Sequence, residues 1–276
     1  MIWIVTDSAQ ELKSDDARGL AVMNLPLSIN GEDVKEEISE ERFYELLDDE
    51  QMTLRTSQAS PAMFEDFFEK LTANGDEVVA ILVSTTLSGT YNSARLAALD
   101  FPGVHLIDSH TACLAQTVLV ERAIELRDQG LSAYELVAAL EEEKHQAKLY
   151  ATLPTLQYLK KGGRISPAKA AIADLAGIKP VLTVNDDGEV EPCAKSRGIK
   201  KAIRQCAKLA VEHHIDLERP IVVACSGPYQ ERAELMLADL EEELGTKLEV
   251  RFFNLSPVLG VHLGPGGAGV GFFEKK

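Results

Sequence analysis

The chain has 276 residues, 45% of them apolar, and a formal net charge of −16. That length suits two packed lobes better than one core, and the apolar share excludes wholesale disorder. The negative charge argues against nucleic acid and anionic membrane surfaces as partners. Cys113, Cys193, Cys206 and Cys225 are far apart and form no C-x-x-C pair, which argues against a zinc ribbon or a thioredoxin-type site. They read as buried free thiols of a reducing compartment. The opening apolar run MIWIV meets Asp7 too soon for a signal peptide or a membrane span. The expectation is a cytoplasmic protein without stable membrane insertion.

In chain order, IWIVT reads as a buried strand ending at Asp7-Ser8. Residues 21–38 read as a hairpin about Asn30-Gly31, and a helix starts near Ser39 with Phe43, Leu46 and Leu47 inward. Thr56-Ser57-Gln58 reads as a polar loop. Ser60 then caps a helix with Pro61 at its first position and Phe64, Phe67, Phe68 and Leu71 on one stripe. VVAILVS, SGTYNSARLAAL, VHLIDS and TACLAQTVLVERAIELRDQ alternate strand and helix. Gly130 ends the last of these helices, and Ser132 with Glu135 forms a capping box for the next. Alternation up to about residue 147 predicts a mostly parallel sheet flanked by helices. Beyond it come a short helix ending at Gly162-Gly163, a helix from Ser166-Pro167, and two strands about Asp187-Gly188. Helix, strand, helix, strand, a helical turn, a glycine-rich bend and a last strand follow. The fold class is α/β in two lobes. The lobes are residues 1–150 and a mixed α/β lobe over 151–276, whose last strand is free to contact the first lobe.

In an open α/β sheet, ligands sit beyond the carboxyl ends of strands, where helices begin. Asp7-Ser8, the run from Ser84 to Thr90, and Asp108-Ser109 fall at such places, and Thr56-Ser57 is a loop cluster able to join them. Ser88 is a natural helix cap, yet one cap does not explain five hydroxyls in seven residues. Gly89 admits close backbone approach, and a helix start suits an anion. No dinucleotide or P-loop pattern is present. Ser88, Asp108 and His262 occur in the order of a hydrolase triad, but the elbow G-x-S-x-G is missing. His262 precedes a glycine-rich bend and reads as either a loop residue or a proton-bearing group beside an anion. His213 and His214 read as complements to a helix C-terminus. Arg164 and Arg197 are fixed cations beside short turns, of the kind that hold carboxylates or phosphates.

Seven segments in this order resemble the DegV family of fatty-acid-binding proteins: IVTDSAQEL, TSQASPAMFEDFFEKL, LVSTTLSGTYNSARLA, VHLIDS, LQYLKKGGRIS, GIKPVLTVNDDGEVEPCAKSRGIKKAI and HLGPGGAGVGFF. The resemblance spans the whole chain. It implies one fatty acid between two lobes, with its carboxylate gripped by the threonine of TSQ and the serine of SGT, here Thr56 and Ser88. Ser57, Gly89 and Thr90 belong to the same motifs. His262, Arg164 and Arg197 match positions near the carboxylate mouth or the partner contact. It further implies a carrier without cofactor or metal that hands the acyl chain to a separate fatty acid kinase for phospholipid synthesis. Two departures are Ala59, where proline is usual, and HTACLAQ in place of small, glycine-containing sequence. They leave the carboxylate grip intact and bear on chain length.

The physics is compatible. About fourteen methylenes at roughly 0.8 kcal/mol each give on the order of 11 kcal/mol before ordering costs, so the head group need not dominate. The slot is expected from the Phe64, Phe67 and Phe68 helix, Ile81 to Val83, and AKAAIADLAG, with plain core packing the competing reading for each. The expected state is a monomer. The alternatives are a serine hydrolase of acyl esters and a lipid-sensing regulatory protein.

Overall fold

The computed structural model describes residues 1–36, 38–171 and 177–275. The first half runs β1 (Ile2–Asp7), β2 (Leu20–Met23), β3 (Leu27–Ile29), β4 (Glu32–Asp33), α1 (Glu40–Asp48), β5 (Leu54–Thr56), α2 (Pro61–Thr72), β6 (Glu77–Leu82), α3 (Thr90–Ala97), β7 (Val104–Asp108), α4 (Cys113–Asp128) and α5 (Ala133–Glu143). The second half runs β8 (Ala147–Thr152), α6 (Gln157–Lys161), α7 (Pro167–Ala170), β9 (Ile178–Val184), β10 (Val190–Arg197), α8 (Ile199–Glu212), β11 (Val222–Cys225), α9 (Gln230–Leu244), β12 (Arg251–Asn254), α10 (Pro257–Leu263) and β13 (Ala268–Phe273).

Local chemistry sets many of these boundaries. Ser39, Ser60 and Ser166 each accept a bond from a first-turn N–H and open α1, α2 and α7. Ser132 and Glu135 form the expected capping box of α5. Asn30 and Gly31 both have positive φ, 53° and 87°, as a two-residue hairpin turn requires. That hairpin is only β3 and β4. β2, expected as its first arm, instead pairs in parallel with β1, and all four of its residues are buried. An apolar strand covered on both faces does not alternate, so its run gave no sign of which partner it takes.

Among the described residues the strands form three sheets. A parallel sheet has the order β2-β1-β6-β7, and a mixed sheet has the order β10-β9-β8-β13-β11-β12. A small antiparallel sheet, β4-β3-β5, sits beside them. Thr56 therefore ends a strand, paired with Leu27, rather than lying in a loop. β8 starts at Ala147 and belongs to the mixed sheet, so the sheets divide ahead of residue 150.

α4 lies between the two large sheets. It packs on β1 and β6 of one and on β8, β11 and β13 of the other. Residues 114 to 121 are buried in succession, which covers every face of the helix. Close approach on the β13 side depends on glycine. A Cβ at Gly271 would lie 2.6 Å from the Leu114 backbone oxygen. A second seam ties the β9–β10 turn to the first sheet. Ser84 Oγ donates to Gly188 O at 3.1 Å, Thr86 Oγ1 donates to Asp187 O at 2.9 Å, and His110 Nδ1 lies 3.2 Å from Asp186 O. The four cysteines are free thiols, but they are not all buried. Cys193 is exposed, because side chains on the edge strand β10 alternate between sheet and solvent.

Gly271→Ala should lower stability by about 3 kcal/mol, because the obstructing atoms are backbone. A drop in Tm on the order of 10 °C is expected. Gly75→Ala, at φ 76° with open space around it, should cost only about 1 kcal/mol. Equal melting shifts for the two variants would contradict this account of the α4 seat.

Candidate functional site

A narrow cavity opens at the N-terminal end of α4. It encloses about 130 Å³. Its walls come from both lobes. Ala9, Leu25, Val83 and Leu87 line one side, and Leu149, Ala151, Leu182, Val184 and Ala268 line the other. Val258, Leu259 and Leu263 of α10 close it, with Cys113 and Leu114 at the start of α4. Apart from Thr183, the polar side chains are Thr56, Ser57, Ser88, Arg164 and His262.

Those polar groups gather at one part of the wall. Thr56 Oγ1 and His262 Nε2 are 2.6 Å apart. The other ring nitrogen, Nδ1, is buried with no partner among the described residues and faces Gly162. Arg164 donates from Nη1 to Gly162 O at 2.5 Å and from Nε to Leu87 O at 3.1 Å, which brings it beside Ser88. Burial holds the His262 imidazole down at about 4, with the Arg164 cation adding to the shift. At neutral pH the ring is therefore uncharged.

The hydroxyl run on the loop between β6 and α3 divides its work. Ser84 and Thr86 hold the β9–β10 turn, and Thr85 Oγ1 donates to Asp108 Oδ2 at 2.7 Å. Ser88 alone of the run's hydroxyls lines the cavity. It is not the helix cap, because that position is Gly89, which offers no side-chain bond. Ser88 Oγ instead accepts from Thr90 N–H at 3.2 Å and lies 2.8 Å from Thr90 Oγ1, a local turn one residue earlier. Gly89 also has a use other than ligand approach. A Cβ there would overlap Gln58 Oε1, and Gln58 Nε2 donates to Ser93 Oγ at 2.9 Å. Gln58 of one motif thus seats on the glycine of the other.

Gly89 and Thr90 stand behind the cavity wall rather than on it. Arg197 lies elsewhere: it is exposed at the end of β10, paired with Ile178, while the cavity is lined from the opposite end of β9. The Phe64, Phe67 and Phe68 helix is core packing, and of Ile81 to Val83 only Val83 reaches the cavity. In AKAAIADLAG, residues 172–176 lie outside the described residues, and 168–171 do not line the cavity. The hydrolase triad is not assembled. Asp108 bonds Thr85 and His110, Ser88 bonds Thr90, and His262 bonds Thr56. His213 takes the C-terminal cap of α8 and reaches Glu274.

Several lining residues escaped the sequence reading. Leu25, Val258 and Leu259 carried no motif. Cys113 had a signal in HTACLAQ: its φ is 55°, a left-handed geometry that glycine adopts freely, and glycine-containing sequence is what that stretch replaces. No helix among the described residues is long and apolar enough to cross a membrane.

Comparison with known proteins places this arrangement. A DegV domain-containing protein of Caldanaerobacter subterraneus subsp. tengcongensis is 35% identical, covering 100% of this chain and 99% of that one. Among solved structures, a DegV family protein from Thermus thermophilus described for its fatty acid binding is 30% identical, with a TM-score of 0.85 and 99% of each chain covered. A stearic acid-binding protein from Eubacterium ventriosum is 26% identical, with a TM-score of 0.83, covering 100% of this chain and 99% of that one. The Fatty Acid Kinase (Fak) B3 protein of Streptococcus pneumoniae, loaded with linoleic acid, shares the fold at 24% identity, with a TM-score of 0.85 and 99% of each chain covered. Residues 1–275 match the family described as "Uncharacterised protein, DegV family", and the chain belongs to that family.

Proposed function

We propose that this protein is a carrier that binds a long-chain fatty acid without covalent attachment and presents its carboxylate to a fatty acid kinase. One observation carries the reading. The cavity is lined mainly by apolar side chains and gathers hydroxyls, an imidazole and a guanidinium at Thr56, Ser88, His262 and Arg164, with Thr56 and His262 hydrogen-bonded to each other. Fatty acid binding by the Thermus thermophilus relative supports the ligand class.

Hydrogen-bond logic then fixes roles. A buried N–H without an acceptor is rarer than an unused lone pair, so the His262 proton belongs on Nε2, where Thr56 Oγ1 accepts it. The Thr56 hydroxyl is left free to donate to a carboxylate oxygen. Thr90 can play the same part for Ser88: its N–H donates to Ser88 Oγ, and the two hydroxyls lie 2.8 Å apart, where either can donate. Two neutral donors orient the head group, and the buried tail supplies most of the affinity.

The kinase half of the proposal rests on a second space outside the head group. It shares Thr56, Arg164 and His262 with the cavity and is flanked by Arg55, Tyr158 and Lys161. A phosphoryl donor held by a partner reaches the carboxylate from there. Two exposed cations in a chain of net charge −16 suit a partner that carries nucleotide phosphates. The carrier acts as a monomer in a reducing cytoplasm.

Solvent extraction of the purified protein should release a long-chain fatty acid by mass spectrometry, and the stripped protein should rebind added hexadecanoate. No lipid in either experiment refutes the carrier. Thr56→Ala and Ser88→Ala should each weaken hexadecanoate binding about tenfold with the fold intact, which titration calorimetry would read. Charge reversal by Arg55→Glu with Lys161→Glu should preserve loading and slow phosphorylation by the cognate kinase at least tenfold. An unaffected rate would remove this face from the kinase contact. Acid adds a further test, on lipid-free protein. The folded state keeps His262 neutral down to about 4, whereas the unfolded chain protonates it near the ordinary 6.5. Its contribution is therefore present above pH 6.5 and lost as pH falls toward 4, by up to about 3 kcal/mol. In His262→Asn, the stability lost between pH 7 and pH 4 should shrink by that amount in urea titrations.

A further inference from the structure

The head-group end of the cavity has an apolar partition as well as its polar face. Leu25, Leu255 and Val258 line the cavity and also line a wider cleft of about 950 Å³. The cleft opens between the segment after β1, the start of α1 and β12. The partition is thus a single layer of side chains.

Its position is fixed relative to the head group from two directions. Val258 precedes His262 by one turn of α10, about 6 Å along the axis. Leu25 is followed by Pro26, whose carbonyl accepts from Ser57 N–H at 3.0 Å, next to Thr56. The partition therefore stands beside the first few carbons of a chain whose carboxylate is held at Thr56 and Ser88.

It is also rigidly seated. Leu25 N–H donates to Ser8 Oγ at 2.9 Å, and Leu255 N–H donates to Cys225 O at 2.9 Å. Ser256 N–H reaches both Glu11 carboxyl oxygens, at 3.0 and 3.1 Å. Leu25 and Leu255 are each only 8% exposed. Backbone pinned in this way does not retreat from an added methyl group, and tightly packed walls convert excess volume into strain.

We propose that Leu25, Leu255 and Val258 are specificity-determining residues that select fatty acids unsubstituted near the carboxyl end. The inference rests on the fatty acid reading of the cavity. A straight chain passes along the partition. A branch at the third carbon must occupy the space the partition fills. Behind it lies the cleft, so shortening one of the three side chains gives the branch room instead of leaving a sealed void.

The test compares hexadecanoic acid with 3-methylhexadecanoic acid on the delipidated full chain by titration calorimetry. The parent should prefer the unbranched acid by about tenfold or more. Leu25→Ala and Val258→Ala should each bring that preference to within about threefold. Val258 is only partly buried, so its variant remains informative if Leu25→Ala melts early. A parent that binds both acids equally overturns the proposal, as does an undiminished preference in a folded Val258→Ala that still binds hexadecanoate. Binding of neither acid by the parent refutes the fatty acid reading itself and the proposal with it.

Discussion

The seat of α4 against β13 is the contact on which the rest of the molecule depends. Leu114 lies where a Cβ at Gly271 would have to go, so the helix approaches the mixed sheet at backbone distance. The other side of the helix covers the parallel sheet. One helix thus sits in a single core shared by both sheets, and the sheets need no linker to hold them in register. The cavity is a consequence. Between sheets kept apart by a helix, space remains where the helix begins, and Cys113 and Leu114 stand at that point. The chain turns into the helix through a left-handed Cys113, a residue type that resists this geometry, so packing around it must impose it.

On the carrier reading, the polar end receives a carboxylate in an acidic protein without a dedicated counter-charge. Arg164 is the nearest cation, but its guanidinium already bonds the carbonyls of Leu87 and Gly162. It therefore stitches the Ser88 turn to the glycine turn that holds His262, and its charge helps keep the imidazole neutral. On the carrier reading this suits exchange. A fully paired buried ion would be costly to separate, whereas hydroxyl donors release the head group more readily.

Much of this was legible in the chain, for identifiable reasons. Serine caps and the Asn30-Gly31 turn are local chemistry, and local chemistry survives folding. Helix and strand order followed from periodicity. Thr56 and Ser88 stood out through their motifs, and both reach the cavity. What stayed hidden was set by partners distant in sequence. β2 pairs by burial on both faces, a pattern that carries no address. Gly89 answers Gln58, and Ser84 answers Gly188; neither pairing has a sequence period. The phenylalanines of α2 make a strong apolar stripe, yet such a stripe announces only that a helix packs, not what it packs on.

α10 joins these themes. It is short, and its sequence reads as little more than a turn before a glycine-rich bend. Yet it carries His262 at one end and Val258 one turn earlier, with Leu255 just ahead of it. Gly260 lets it lie on Phe43 of α1, since a Cβ there would meet that ring at 2.5 Å. Ser256 is tied to Glu11 of the first lobe. A helix pinned at its start and against its middle moves as a unit, so the imidazole and the partition keep a fixed spacing. On the acyl-chain reading, that spacing makes the head group and the first carbons of the chain a single recognition event. A ligand that satisfies Thr56 and Ser88 has then already presented its first carbons to Val258.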